Sequence, residues 1–131
     1  MYRSIHAQAY SESQITSDVK EKSGDELISL LFEKASVLMS RLETLSRGKD
    51  VDKEAISEAI NRVIRIVLGL RDVLDMEKGG TVSEALYLAY SSIATNLFKQ
   101  IRRVDPQEIS KLKQAIEEIR SAWTTVVSLP K

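Results

Sequence analysis

The sequence predicts an all-α protein, an antiparallel up-down-up-down four-helix bundle with a flexible N-terminal segment. Apolar residues recur at steps of three and four through four separate stretches, which is the spacing of amphipathic helices. Only two prolines and few aromatic residues occur in 131 residues, which disfavours a β-sandwich or barrel. The connections between the stretches are short, so consecutive helices are expected to run antiparallel. We therefore predict an N-terminal tail over residues 1–22 and one bundle over residues 23–131.

The bulk composition excludes several classes of function. The chain has no cysteine, so a disulfide, a thiolate metal site and a cysteine nucleophile are all excluded. It has 19 basic and 19 acidic residues, and their interleaving argues against a nucleic-acid partner. No apolar run is long enough to cross a bilayer, and none follows Met1 as a secretory signal requires. We expect a cytoplasmic protein without membrane insertion.

The tail, residues 1–22, has no sustained apolar period. Its Tyr2, Ile5 and Tyr10 stand among polar residues, so ordering this segment recovers little apolar area for the entropy it costs. Two interpretations stay open. The tail is either disordered, or it is a strap whose aromatic residues dock on a groove of the bundle.

The first helix is predicted to begin at a capping box made by Ser23 and Glu26. Gly48 is expected to end it in the left-handed conformation. The residues expected on its core face are Ile28, Leu31, Ala35, Leu38 and Leu42.

The second helix is predicted to begin near Asp52 and to stop at Gly79-Gly80. Its apolar intervals alternate between four and three, the pattern of a long packed helix. The residues expected on its core face are Ile56, Ile60, Val63, Val67, Leu70 and Leu74.

The third helix is predicted to begin at a capping box of Thr81 and Glu84, and the fourth at Asp105-Pro106 with Glu108 completing the box. The core face expected of the third helix is Val82, Leu86, Ala89, Ile93, Leu97 and Val104. That of the fourth is Ile109, Leu112, Ile116, Ile119, Trp123 and Val126.

The residues that helical-bundle enzymes and carriers require are missing. The one histidine, His6, lies in the tail, so a di-iron site built from helix histidines is excluded. No Cys-x-x-Cys-His haem motif and no Gly-rich phosphate loop occurs. We therefore expect no catalytic residue, no metal and no cofactor.

The two central helices carry more apolar surface than one core face needs. A second stripe, also at steps of three, four and seven, consists of Ala59, Ile66, Val73, Tyr87, Tyr90, Ala94, Phe98 and Ile101. It is either ordinary core, because a central helix contacts two neighbours, or a groove for an amphipathic helix or an apolar strand of a partner. Tyr87 and Phe98 lie farthest from the core face, so they are the strongest candidates for partner contact.

Several segments resemble one family. The run Leu74-Asp75-Met76-Glu77-Lys78-Gly79-Gly80 is similar to the junction of helices 2 and 3 in the flagellin export chaperones, the FliS family. The spacing of Leu86, Tyr90, Ile93 and Leu97 and the late Ala122-Trp123 pair match the same family, and the resemblance covers roughly residues 24 to 125. The sequence departs from the family pattern at Lys22-Ser23-Gly24-Asp25, at Ser92 and at Gln100-Ile101.

The resemblance implies a function and a partner. Members of this family are small cytoplasmic bundles that bind the C-terminal segment of flagellin and stop it polymerising before export. In free members the N-terminal segment can cover part of the groove, the role that the strap interpretation gives to Tyr2, Ile5 and Tyr10. A second hypothesis stays open, in which the chain is a structural or adaptor bundle that forms a homodimer through the second stripe.

Overall fold

A computed structural model describes residues 24–128 and confirms the four-helix fold. The helices are α1 (Gly24–Arg47), α2 (Lys53–Asp72), α3 (Met76–Arg102) and α4 (Pro106–Val127), joined by connections of three to five residues. Between residues 24 and 128 there is no strand. The strap residues Tyr2, Ile5 and Tyr10 and the cap residue Ser23 lie outside the described residues.

The helices do not pack evenly around the core. Helix α1 packs along both α2 and α4, and α2 packs along α3, whereas α3 and α4 contact each other at few places. The middle of every predicted core face is buried, which confirms the periodicity argument there. The buried residues of those predicted faces are Leu31, Ala35, Leu42, Ile56, Ile60, Val63, Val67, Leu70, Ile93, Leu97, Ile109, Leu112 and Ile116.

Polar side chains connect α1 to α4 beside the core. Glu43 accepts hydrogen bonds from the Ser110 hydroxyl at 2.8 Å and from the Lys113 ammonium at 3.3 Å. The Ser110 hydrogen bond, followed by that from Lys113, lowers the pKa of Glu43 below its ordinary value. The Ser36 hydroxyl donates to Glu117 farther along the same contact. These bonds fix how α4 lies along α1, which in turn sets how far α4 stands from α3.

Acidic side chains begin α2 and α4 as expected. Asp52 accepts from the backbone N–H of Ala55 at 3.0 Å, and Asp105 accepts from that of Gln107 at 3.0 Å. The expected capping box of Asp105 and Glu108 is incomplete, however. The Asp105 N–H donates to the side chain of buried Gln100 at 2.6 Å, so Glu108 has no free N–H to accept from.

The predicted boundary between the second and third helices is wrong for the end of α2 and correct for a break at the glycine pair. Helix α2 ends at Asp72, and Asp75 begins α3 by accepting from the backbone N–H groups of Glu77 and Lys78. The segment α3 comprises two helices that meet at a kink, a short one that Asp75 begins and the long one that follows Gly80. Gly80 breaks the helical geometry with φ 53° and ψ −130°, a conformation that an L side chain rarely adopts. The physical reason is that the Asp75 carboxylate supplies a cap earlier than the glycines can act.

The prediction for Gly48 is also wrong. Helix α1 does end next to it, at Arg47, but Gly80 is the one glycine with a positive φ among the described residues. The Gly48 N–H donates to the Leu45 carbonyl at 3.4 Å, so the last turn tightens and no left-handed residue is needed.

Gly79 is expected to be the less replaceable of the two glycines on packing grounds. A Cβ atom at Gly79 would lie 1.7 Å from the Ser83 hydroxyl oxygen and 2.7 Å from the Ser83 Cβ. Rotation of Ser83 cannot relieve the second contact, and the Ser83 hydroxyl donates to the Asp75 carbonyl at 2.9 Å. We expect Gly79→Ala to lower the free energy of unfolding in urea by roughly 1–3 kcal/mol. Gly24→Ala is the control because no atom lies near its Cβ position, and equal effects of the two variants would contradict the prediction.

Candidate functional site

An open cavity of about 510 Å³ lies between α3 and α4 at one end of the bundle. The starts of α1 and α3 meet the ends of α2 and α4 there, as antiparallel packing requires. We call this cavity the α3–α4 cleft. Its lining residues are Ile28, Phe32, Leu70, Val73, Leu74, Asp75, Val82, Leu86, Tyr90, Glu118, Ile119, Ala122, Trp123 and Val126. Twelve of these fourteen side chains are apolar or aromatic, so the cleft offers a partner almost entirely apolar surface.

The cleft exists because two core faces continue past the point where α3 and α4 touch. Val82 at the start of α3 is 66% exposed, and Val126 at the end of α4 is 59% exposed. Both were expected to be buried on core faces, and that expectation is wrong. Exposed apolar side chains gathered at one opening, rather than scattered singly, are typical of an interaction site.

Trp123 forms one wall of the cleft. Its ring is partly buried against the core, and its indole N–H donates to the Ser29 hydroxyl of α1 at 2.9 Å. Trp123 was expected to be core, and its packing agrees with that in part, but it also faces the opening. Phe32 on α1 also lines the cleft and is almost completely buried. The hydrogen bond to Ser29 therefore ties the Trp123 wall of the cleft to α1.

Tyr90 brings a titratable group into the cleft. Its side chain is 5% exposed, and burial raises the pKa of its phenol from 10.0 to about 12. The phenol therefore stays neutral at physiological pH. Of the two carboxylates at the rim, Asp75 is engaged by the backbone at the start of α3, whereas Glu118 accepts one bond from Gln114 at 3.3 Å. The cleft is thus a neutral apolar surface with acidic groups at its edge.

The burial of Tyr90 predicts how stability depends on alkaline pH. The Tyr90 phenol loses its proton near pH 10 in the unfolded chain and near pH 12 in the folded chain. The stabilisation of the folded state by the neutral, buried phenol is therefore complete below pH 10 and is lost as the pH rises toward 12. We expect the free energy of unfolding to fall by on the order of 1–2 kcal/mol over that interval. Urea titrations at several pH values measure it, and Tyr90→Phe is the control. Identical slopes for wild type and Tyr90→Phe would contradict the prediction.

The structure divides the second stripe into three groups. Tyr90 and Val73 line the α3–α4 cleft, whereas Ala59, Ile66 and Ala94 are buried in the core. Ile66 is 5% exposed, so the ordinary-core interpretation of the second stripe fits this residue better than the groove interpretation. Its burial follows from the packing of α2 against α3, which covers this part of both helices.

The remaining members of the stripe are partly or largely exposed. Ile101 is partly buried near the opposite end of the bundle, while Tyr87 and Phe98 are 41% and 62% exposed. The Arg71 guanidinium of α2 lies 4.9 Å from the centre of the Tyr87 ring and donates to the Ser91 hydroxyl at 3.0 Å. Tyr87 therefore lies beside α2, and Phe98 lies three turns farther along the same face of α3. We call these two exposed aromatic side chains the Tyr87–Phe98 surface.

Sequence reasoning missed most of the residues that line the cleft, because it assigned them to core faces. Val82, Ile119 and Val126 have the same spacing as truly buried residues. The available signal was positional: in an antiparallel bundle the start of α3 and the end of α4 meet at the same end. Whether the two helices touch there depends on their separation, which periodicity does not report.

Two further properties concern the part of the chain that is described. Among residues 24–128, no three His, Cys, Asp or Glu side chains gather closely enough to hold a metal ion. None of the four described helices is long and apolar enough to cross a membrane.

The described residues form a small antiparallel helical bundle with an open apolar cleft, an architecture that suits the docking of an amphipathic helix. The family model described as flagellar protein FliS matches residues 6–130. The chain therefore belongs to the FliS family of flagellar proteins, which confirms the resemblance inferred from the sequence.

Similar proteins include the flagellar secretion chaperone FliS of Salmonella typhimurium, which is 32% identical over 128 residues, covering 96% of this chain and 93% of the relative. The flagellar secretion chaperone FliS of Vibrio cholerae is 25% identical over 123 residues, covering 91% and 86%. That of Escherichia coli is 28% identical over 130 residues, covering 94% and 90%. The similarity extends over nearly the whole chain, so the bundle as a unit corresponds to these chaperones.

Proposed function

We propose that this chain is a cytoplasmic secretion chaperone that binds the C-terminal segment of flagellin and prevents its polymerisation before export. Membership of the FliS family supports a chaperone of flagellar export. The observation that carries the proposal is the α3–α4 cleft, an open apolar cavity in a chain with no catalytic motif. The mechanism is masking, in which apolar side chains that pair in the filament are covered by the bundle instead.

The chemistry of the cleft favours a helical segment over an extended one. An extended strand carries unpaired backbone N–H and C=O groups, and a nearly apolar wall offers them no partners. A helix satisfies its own backbone and presents one apolar face, which suits walls such as Leu86, Ile119 and Trp123. An amphipathic helix of flagellin is therefore the form of the segment that this site accepts best.

The Tyr87–Phe98 surface is proposed as a second contact for the same segment. It lies on α3 like one wall of the cleft, but it faces the side of α3 next to α2. A flagellin segment that leaves the α3–α4 cleft and passes around α3 would therefore contact the Tyr87–Phe98 surface as well. This arrangement retains Tyr87 and Phe98 as partner contacts and adds the cleft as the principal one.

Calorimetric titration with a C-terminal flagellin fragment tests the proposal. Wild type is expected to bind one fragment per chain, and stoichiometric chaperone should suppress flagellin polymerisation followed by light scattering. Val82→Asp should weaken binding by about tenfold or more, because it forces a charge into an apolar contact. Val37→Asp on α1 is the matched control, since Val37 is as exposed as Val82 but lies outside the cleft. Absence of binding by wild type would contradict the function, and equal losses in the two variants would contradict the site.

The alternative is a structural or adaptor bundle that self-associates. Phe98 and Leu88 on α3 are 62% and 69% exposed, and exposed apolar side chains of this kind favour self-association. Size-exclusion chromatography with light scattering separates the two functions. A dimer that Phe98→Glu dissociates would support self-association, and a monomer that binds the flagellin fragment would support the chaperone.

A further inference from the structure

A second cavity, of about 350 Å³, lies at the end of the bundle opposite the α3–α4 cleft. It is formed where the connection before α2 meets the connection after α3. Three cationic side chains line it, those of Lys53, Arg102 and Arg103, and no acidic residue does. We call it the basic cleft. The other lining residues are apolar, namely Val51, Ile101 and Val104, or carry a hydroxyl group, namely Ser46 and Ser57.

The three cations have no acceptor within the described part of the chain. Lys111, Lys113 and Arg120 each form an ion pair with a glutamate, whereas the side chains of the three cations in the basic cleft form no ion pair and donate no hydrogen bond between residues 24 and 128. Their charge therefore remains available to an anionic ligand.

The neighbouring carboxylates are engaged elsewhere or lie outside the cavity. Asp52 and Asp105 are adjacent in sequence to the basic cleft, but both accept from backbone N–H groups at the starts of α2 and α4. Asp50 and Glu54 do not line the cavity. Helix capping thus directs the Asp52 and Asp105 carboxylates to the backbone, and neither forms an ion pair with the three cations among the described residues.

The backbone that carries the arginines is held in place before any ligand binds. Buried Gln100 accepts from the Asp105 N–H at 2.6 Å, and the Arg103 N–H donates to the Lys99 carbonyl at 3.3 Å. These bonds pin the connection between α3 and α4 at both ends. A preordered connection lowers the conformational entropy that binding would otherwise cost.

We propose that the basic cleft binds an acidic segment of a partner protein, with one apolar side chain seated among Val51, Ile101 and Val104 and carboxylates directed at the cations. Charge complementarity identifies the anionic part of the ligand, because arginine pairs well with carboxylates. The apolar walls distinguish an acidic peptide from a free phosphate, which has no apolar group to cover them, and the lining includes no aromatic ring on which a nucleotide base would stack. The site lies at the far end from the α3–α4 cleft, so a second partner can reach it while the α3–α4 cleft is occupied.

The probe is a short fluorescein-labelled peptide of alternating Glu and Leu, and its matched control has every Glu replaced by Gln. Fluorescence anisotropy with the full chain measures binding of each at low and high salt. The acidic peptide is expected to saturate, to bind about tenfold more tightly than the Gln peptide, and to weaken as salt screens the charges. A Gln peptide that binds equally well would overturn the proposal, and so would the absence of saturation.

Variants locate the site. Arg102→Glu/Arg103→Glu should weaken the acidic peptide by about tenfold or more, while Lys34→Glu/Arg41→Glu makes the same charge change on exposed α1 residues and should not. If Arg102→Glu/Arg103→Glu is unfolded in a thermal melt, Arg102→Gln/Arg103→Gln replaces it. This variant is expected to lose the preference for the acidic peptide over the Gln peptide. Equal losses in both pairs would overturn the site.

Two further measurements complete the test. A single-stranded oligonucleotide of equal charge that binds more tightly than the peptide would overturn a protein partner. Titration of Arg102→Glu/Arg103→Glu with the flagellin fragment should retain binding through the α3–α4 cleft, and any weakening should stay below that of Phe98→Glu, whose side chain lies one turn from Arg102 on α3. Complete loss of flagellin binding in this folded variant would overturn the separation of the two sites.

Discussion

Truncation of Phe32 to alanine is expected to lower the free energy of unfolding by about 3–5 kcal/mol. Phe32 is 2% exposed and is the largest of the fully buried side chains, so its removal leaves a cavity that the helices cannot close without moving. Urea and thermal unfolding measure the loss. Val37→Ala on the same helix is the control, since that side chain is mostly exposed and its truncation should change stability by less than about 0.5 kcal/mol.

A milder change at the same position separates volume from aromatic character. Phe32→Leu retains most of the apolar volume and should cost about 1.5 kcal/mol or less. Because Phe32 also lines the α3–α4 cleft, the alanine variant is expected to bind the flagellin fragment less well even at temperatures where it is folded. A loss of less than about 1 kcal/mol in Phe32→Ala would mean that the core relaxes around the cavity, against the packing described here.

Periodicity predicted the fold because burial along a helix repeats every three or four residues. Ile60, Val63 and Leu97 are completely buried, as their spacing predicts. Local chemistry predicted the starts of α2 and α4 for a similar reason, since Asp52 and Asp105 act on backbone groups two or three residues away. Both kinds of inference depend on short sequence separations.

The errors arose where two local signals compete. Asp75 and the glycine pair both mark a boundary between α2 and α3, and the glycines were given precedence. In the structure, Asp75 caps the start of α3, and Gly80 separates this first turn from the long helix that follows. A carboxylate four residues before a glycine pair, followed by Glu77 and Lys78, is itself a helix-start signal that sequence reasoning can use.

The candidate site was harder to predict because it depends on a distance between two helices. Val82 and Val126 have the spacing of core residues, yet both are exposed where α3 and α4 separate. The separation follows from the way α4 is held along α1, in part by Glu43 with Ser110 and by Trp123 with Ser29. Those contacts link residues far apart in sequence, and no local pattern encodes them.

Phe98→Glu is expected to weaken binding of the C-terminal flagellin segment by roughly tenfold to a hundredfold while leaving the fold intact. The ring is 62% exposed in the free bundle, so its replacement removes little packing. Exposed aromatic residues that a partner covers often contribute ~2 kcal/mol or more each to binding, and a carboxylate in that contact adds a desolvation penalty. Calorimetric titration measures the affinity, and thermal melts verify the fold.

A matched control and a double variant test whether one flagellin segment contacts both the α3–α4 cleft and the Tyr87–Phe98 surface. Val37→Glu is the matched control, because Val37 is 63% exposed on α1, nearly the same fraction as Phe98. The losses caused by Phe98→Glu and Val82→Asp should combine additively in free energy in the double variant, since the two residues lie at separate parts of α3. If Phe98→Glu binds as tightly as Val37→Glu, the segment does not reach the Tyr87–Phe98 surface. If Phe98→Glu instead melts far below wild type, Phe98 supports the fold and the weakened binding follows from instability.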